Sequence, residues 1–178
     1  MSKIHGNKRF NTYDLSGSFG VGYTRKNEEF YFDLEDYDKI KYHCWYIETR
    51  GRVCARNSEG GTPLKLHRVI LNNPELSMDI DHIDHNQSDN RKSNLRICTH
   101  TENLHNIRIP KTNTSGTIGV YFNKNTVRYI SRIEYNKKII RLGHFIDEKD
   151  AIVARLKAEK KYYKEFAPQK HLFKKYDI

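Results

Sequence analysis

The run Asp81-His82-Ile83-Asp84-His85-Asn86, continued by Asn94-Leu95-Arg96 and then by Thr101-Glu102-Asn103, gathers a histidine, carboxylates and carboxamides into about two dozen residues. Local patterning gives the stretch a shape. Met78-Asp79-Ile80-Asp81 and Leu95-Arg96-Ile97-Cys98 alternate apolar with polar, as half-buried strands do, and a long polar loop separates them. Thr99-His100-Thr101-Glu102 has the form of a capping box, so a helix is expected to start there with Asn103 just inside its first turn. The predicted order is strand, long loop, strand, helix. Cleavage of a phosphodiester needs a water deprotonated near neutral pH and a cation that stabilises charge on the phosphate and the leaving oxygen. Asp81, His82 and Asn103 offer those parts.

The spacing resembles that of the HNH nuclease motif: Asp81-His82, Asn94 twelve residues after His82, and Asn103 twenty-one after it. The resemblance implies a ββα-metal finger over about residues 78–109 that holds one divalent ion, with Asp81 and Asn103 as ligands. It also implies His82 as general base and Asn94 as the residue bracing the finger. Asparagine stands at the last position, where many family members have histidine. That departure favours an oxygen-rich Mg²⁺ or Mn²⁺ site over Zn²⁺, because carboxylate, amide and water oxygens suit hard cations. His85 and His105 stay open as further ligands. Arg91 and Arg96 read equally as phosphate clamps and as ion-pair partners on the surface.

Other residues of the stretch have plainer roles. Asn86, Ser88, Asp89 and Asn90 read as turn chemistry, since such side chains bond their own backbone. A calcium loop is excluded, because no register starting at Asp79, Asp81 or Asp84 supplies both a glycine at the sixth position and a glutamate at the twelfth. In Leu64-Lys65-Leu66-His67-Arg68-Val69-Ile70, the residues Leu66, Val69 and Ile70 fall at helical spacing, so His67 reads as a packed core histidine, although a leucine-histidine-arginine segment also precedes the finger in related phage-type HNH proteins. Upstream, Phe19 to Tyr23 and Phe30 to Leu34 read as a hairpin, Asp36 to Tyr42 as a short helix, and Trp45 to Ile47 with Val53 to Ala55 as a second hairpin. Gly17, Gly20 and Gly22 mark turns or bulges here, since no helix pattern follows them as a phosphate-cradling loop requires.

Composition sets the bounds. The 178 residues, 37% apolar and 12% aromatic, suffice for one medium domain or two small ones. No stretch approaches 18 consecutive apolar residues and no signal-like apolar block opens the chain, which predicts a protein without membrane contact, intracellular and cytoplasmic. Cys44, Cys54 and Cys98 are odd in number and form no Cys-x-x-Cys pair, arguing against a disulfide framework and against structural zinc. The net charge of +10 is uneven. Residues 1–109 hold 16 Lys and Arg against 15 Asp and Glu, whereas residues 110–178 hold 16 against 7. Such asymmetry implies a polyanion-binding module behind a near-neutral domain.

The polar, turn-rich segment Pro110 to Gly116 marks a boundary. Beyond it, Ile118 to Phe122, Arg128 to Ile133 and Ile139 to Leu142 read as three antiparallel strands, and Glu148 to Phe166 as a helix capped by Asp147 with Ala151, Ala154, Ala158 and Tyr162 on one face. Alternation puts Arg128 and Arg132 on the side away from that helix, and Arg141 joins them. The residues Gly119-Val120-Tyr121, Ser131-Arg132-Ile133 and Leu142-Gly143-His144-Phe145, with the alanine-bearing helix, resemble the APETALA/ethylene-response-factor DNA-binding domain over about residues 114–166. The resemblance implies that the exposed sheet face reads duplex DNA through Tyr121, Arg132, Glu134 and Arg141. Tyr129 stands where that family has tryptophan, so no base preference carries over.

The chain is therefore expected to be α+β. An HNH nuclease domain (1–109), a linker (110–117), a three-stranded sheet packed on one helix for DNA binding (118–168) and a basic tail (169–178) would follow in order. The implied activity is that of a phage homing-type endonuclease nicking double-stranded DNA with one Mg²⁺ or Mn²⁺, as a monomer or weak dimer. The alternative is a non-catalytic, sequence-specific DNA-binding regulator.

Overall fold

Phe30 and Phe32 rest over two glycines of the neighbouring strand, and the first sheet of the protein is built on that fit. The computed structural model describes residues 11–57, 60–72, 74–107, 109, 113 and 115–178; residues 110–112 and 114 of the expected linker lie outside them. The chain divides into two units, Met1–Thr99 and His100–Ile178. In the first, β1 (Thr12–Asp14), β2 (Gly20–Tyr23) and β3 (Glu29–Phe32) form an antiparallel sheet in that order. Gly20 pairs with Phe32 and Gly22 with Phe30, and a Cβ on either glycine would lie 2.3 or 2.2 Å from the facing ring. These glycines make room for aromatic side chains.

A 3-10 turn leads into α1 (Tyr37–Ile40), then β4 (Trp45–Ile47), β5 (Val53–Ala55) and β6 (Leu64–Lys65) form a second antiparallel sheet, and α2 (Leu66–Ile70) follows directly. Both predicted hairpins and both short helices are present. Tyr13, Phe30, Phe32, Ile40, Trp45, Val53, Leu66, Ile70 and Leu95 make one buried core, so residues far apart in sequence meet in it. Asn11 joins the sheets: its amide donates to the Trp45 carbonyl at 2.9 Å and accepts from the Trp45 N–H at 2.6 Å. The last pair of this unit is β7 (Asp79–His82) with β8 (Leu95–Cys98), in the register Asp81 opposite Arg96 and His82 opposite Leu95.

The second unit opens with α3 (His100–Asn103) and continues as β9 (Val120–Asn123), β10 (Arg128–Tyr135), β11 (Lys138–Phe145) and α4 (Glu148–Tyr162). The sheet is antiparallel with β10 in the middle, and α4 covers one face through Ala151, Ile152, Leu156 and Ala158 against Val120, Tyr129, Ile133, Ile140 and Phe145. Asp147 caps α4 by accepting from the Lys149 N–H at 2.7 Å. The helix ends at Tyr162, short of the expected Phe166, because Lys164 takes φ 51°, a left-handed conformation that an α-helix cannot continue through, and a 3-10 turn follows. Sequence periodicity gave no sign that Arg155 and Glu159 are buried on this helix. Their ion pair, 2.9 Å long, is closed by Gln169, whose Nε2 donates to Glu159 at 2.6 Å. Arg155 also donates to the Arg132 carbonyl at 2.7 Å, tying helix to sheet. Residues 169–178 pack Leu172, Phe173, Tyr176 and Ile178 against the core.

Candidate active site and nucleic-acid face

The loop from Ile83 to Arg91 has few apolar side chains, so it must be held by hydrogen bonds, and Asn94 supplies the closure. Its Oδ1 accepts from the Asp84 N–H at 3.0 Å, its Nδ2 donates to the Asp89 carbonyl at 2.9 Å, and its own carbonyl accepts from the Ile83 N–H at 2.9 Å. Within the loop, Asn86 N–H donates to Asp84 and Ser88 N–H to Asn86, the turn chemistry expected of such residues. The far side is pinned to β3, where Tyr31 N–H donates to the Ser88 carbonyl at 2.9 Å and Asn90 N–H to the Tyr31 carbonyl at 2.8 Å.

This scaffold holds Asp81 and His82 side by side at the end of β7, both 7% exposed. Asp81 Oδ2 accepts from Arg96 Nε at 2.8 Å and from its terminal nitrogen at 2.6 Å, so Arg96 is an ion-pair partner across the two strands. Arg91 bonds Asp89 at 2.8 Å through Nε, and its guanidinium lies 4.6 Å from the Phe19 ring centre. His82 Nε2 lies 3.3 Å from Asn90 Oδ1, and burial pushes the imidazole below its ordinary pKa. His67 from α2 meets the His82 ring edge-on, with centroids 5.2 Å apart. Burial lowers its pKa to about 3, so it is neutral at physiological pH. Its Nδ1 is buried without a hydrogen-bond partner among the described residues. His67 is thus a core histidine that also touches the candidate base. Asn90 is the contact that the sequence did not disclose, because an asparagine after an aspartate in a polar loop looks like any turn residue.

Asn103 closes the short α3 of the second unit. His105 stacks on Tyr163 at 3.9 Å, and burial lowers its pKa. His85 adopts φ 63° in the loop. Among the described residues no group of three or more His, Cys, Asp and Glu side chains is placed to hold a metal ion by itself. Asp81 lies in the first unit and Asn103 in the second.

On the sheet of the second unit, Tyr121, Arg128, Arg132 and Arg141 are all exposed, while Ile133, Ile140 and Leu142 pack on the helix side. Arg132 and Arg141 are direct cross-strand partners, next to an irregularity in register between Ser131 and Arg132. The Arg132 guanidinium lies 5.5 Å from the Tyr121 ring centre.

Residues 65–105 match the protein-family model described as HNH endonuclease, a span that contains His67, Asp81, His82, Asn94 and Asn103. Over that segment the chain is similar to HNH endonuclease domains. It is also similar to an uncharacterized HNH endonuclease of Acanthamoeba polyphaga mimivirus, with 29% identity over 152 residues, 79% of this chain and 74% of that protein. No solved structure matches the chain. The match and the relative support a nuclease, a hydrolase, and HNH nucleases generally use a divalent metal ion. No helix among the described residues is long and apolar enough to cross a membrane.

Proposed function

We propose that this protein is a homing-type endonuclease that nicks double-stranded DNA, with His82 as general base and one Mg²⁺ or Mn²⁺ ion held by Asp81 and Asn103. The observation that carries the reading is the placement of a buried, neutral-favouring His82 beside the Asp81 carboxylate inside the segment that matches the HNH family. His82 takes a proton from water, the resulting hydroxide attacks the scissile phosphorus in line, and the 3′ oxygen departs. The divalent ion, when bound, supplies positive charge for the phosphate and the leaving oxygen. Asn94 keeps the loop closed so that His82 and Asp81 hold their places at the end of β7. One such site per chain acts on one strand per encounter, which favours nicking by a monomer.

The sheet face of the second unit is the proposed DNA-binding surface, with Tyr121, Arg128, Arg132 and Arg141 as contacts, whereas Arg91 and Arg96 of the first unit are held by Asp89 and Asp81. Like charges directly opposite on a sheet destabilise it. The Arg132–Arg141 pair is therefore a cost to the free protein that a phosphate between the two guanidinium groups would offset. The comparisons do not support the likeness to ethylene-response-factor domains, and the surface is proposed on the exposed side chains of this antiparallel sheet alone.

Conversion of supercoiled plasmid to nicked and linear forms, with Mg²⁺, with Mn²⁺ and with chelator, tests the reading on the native chain and on His82→Ala. Cleavage that requires metal and drops by about 10²- to 10⁴-fold in the variant is expected. Binding without cleavage under every metal condition would instead mark a DNA-binding regulator.

A further inference from the structure

We infer that Asn90 is the residue that decides which nitrogen of His82 works as the base, an inference that rests on the reading of His82 as general base. Asn90 is fully buried. Its Nδ2 points at two backbone carbonyls, those of Ser88 at 3.1 Å and Gln87 at 3.4 Å, and its backbone N–H donates to the Tyr31 carbonyl at 2.8 Å. Carbonyl oxygens can only accept, so the NH₂ end of the amide must face them and Oδ1 must face His82. Oδ1 carries no proton. The 3.3 Å contact to His82 Nε2 is therefore a hydrogen bond only if Nε2 is the protonated nitrogen. A neutral imidazole has a single N–H, so this arrangement leaves the lone pair on Nδ1. The opposite tautomer would set the Nε2 lone pair against the Oδ1 lone pairs in a buried space.

The bond also changes strength during the reaction. When Nδ1 takes the proton of water the ring becomes cationic, and the Nε2–H to Oδ1 bond becomes charge-assisted. Asn90 thus contributes more to the transition state than to the ground state, which shows in kcat and not in KM. Asn94 and Asn90 have separate tasks: Asn94 closes the backbone through the Asp89 carbonyl, one residue before Asn90, and Asn90 holds the ring. The His67 ring, edge-on to His82, limits how far that ring can swing.

The test reads the tautomer and the rate separately on the full-length chain. Two-bond ¹H–¹⁵N correlation spectra of the histidine rings, with His82 assigned by the signals lost in His82→Ala, are expected to show the Nε2–H tautomer in the native protein. In Asn90→Leu that preference is lost and kcat falls about 10- to 100-fold with KM within about twofold. Asn90→Asp, which keeps an acceptor opposite Nε2, restores the tautomer and part of the rate. A native spectrum showing the Nδ1–H tautomer overturns the inference with no variant needed, and so does an Asn90→Leu protein with unchanged tautomer and kcat. If His82→Ala cleaves as fast as the native chain, it is the general-base reading that fails, whatever the spectra show.

Discussion

His67 shows how a residue can be legible in type and still carry information that sequence does not give. Helical spacing of Leu66, Val69 and Ile70 was enough to place it in the core, where it is 7% exposed. Spacing could not show that it lies against His82, because that contact joins α2 to the end of β7 through the tertiary fold. Arg96 is similar: the sequence left it balanced between phosphate clamp and ion-pair partner, and only the register of β7 and β8 puts it on Asp81. The low pKa of His67 has a measurable consequence. Its folded value, about 3, lies below the ordinary 6.5, so the unfolded chain binds the proton more tightly throughout that interval. The contribution is fully present above pH 6.5 and is lost as pH falls toward 3, at up to about 1.4 kcal/mol per pH unit. Urea unfolding of the native chain is expected to show stability declining from pH 6.5 to pH 4.5, and a His67→Phe variant is expected to show a shallower decline. Parallel curves for the two proteins would mean that other groups carry the dependence.

At the scale of elements, alternation and turn residues located the strands well. The hairpins of the first unit, the β7–β8 pair and the three-stranded sheet of the second unit all stand close to where period-two patterning put them. The patterning had less to say about buried polar groups, since a polar residue in a helix or loop is expected at the surface. Arg155, Glu159 and Asn90 are among the buried polar residues it missed, each made possible by partners distant in sequence or by loop carbonyls. Asn94 was legible because of its spacing from His82, and the loop explains its cost. Asn94→Ala removes the acceptor of the Asp84 N–H and the donor to the Asp89 carbonyl. Leaving buried backbone groups without partners costs about 1–3 kcal/mol each, so a total loss of about 2–6 kcal/mol is expected in equilibrium unfolding. Hydrogen exchange is the sharper readout: amides from Ile83 to Arg91 are expected to exchange faster in the variant while those of β4 and β5 keep their protection. Uniform acceleration across the unit would show that Asn94 supports the whole core instead of the loop.

At the scale of the whole molecule, charge separates binding from chemistry. Residues 110–178 carry 16 basic against 7 acidic residues, and Arg128, Arg132 and Arg141 bring part of that excess to one sheet face, whereas Arg96 and Arg91 near the candidate active site are engaged by Asp81 and Asp89. Under the proposed function, affinity would come from counterion release at the sheet and rate from the β7–β8 site. Each phosphate neutralised adds about 0.9 to the slope of log K against log salt on duplex DNA. Replacing Arg128, Arg132 and Arg141 together by alanine is therefore expected to lower the magnitude of that slope by about 2 to 3, measured by fluorescence anisotropy of a labelled duplex between 50 and 200 mM salt. Cleavage at saturating DNA is expected to change far less, because the three belong to the second unit and Asp81, His82 and Asn94 to the first. A triple variant with an unchanged salt slope would move the DNA-binding surface off this sheet. A variant that binds as the native chain but no longer cleaves would make the sheet part of the catalytic assembly.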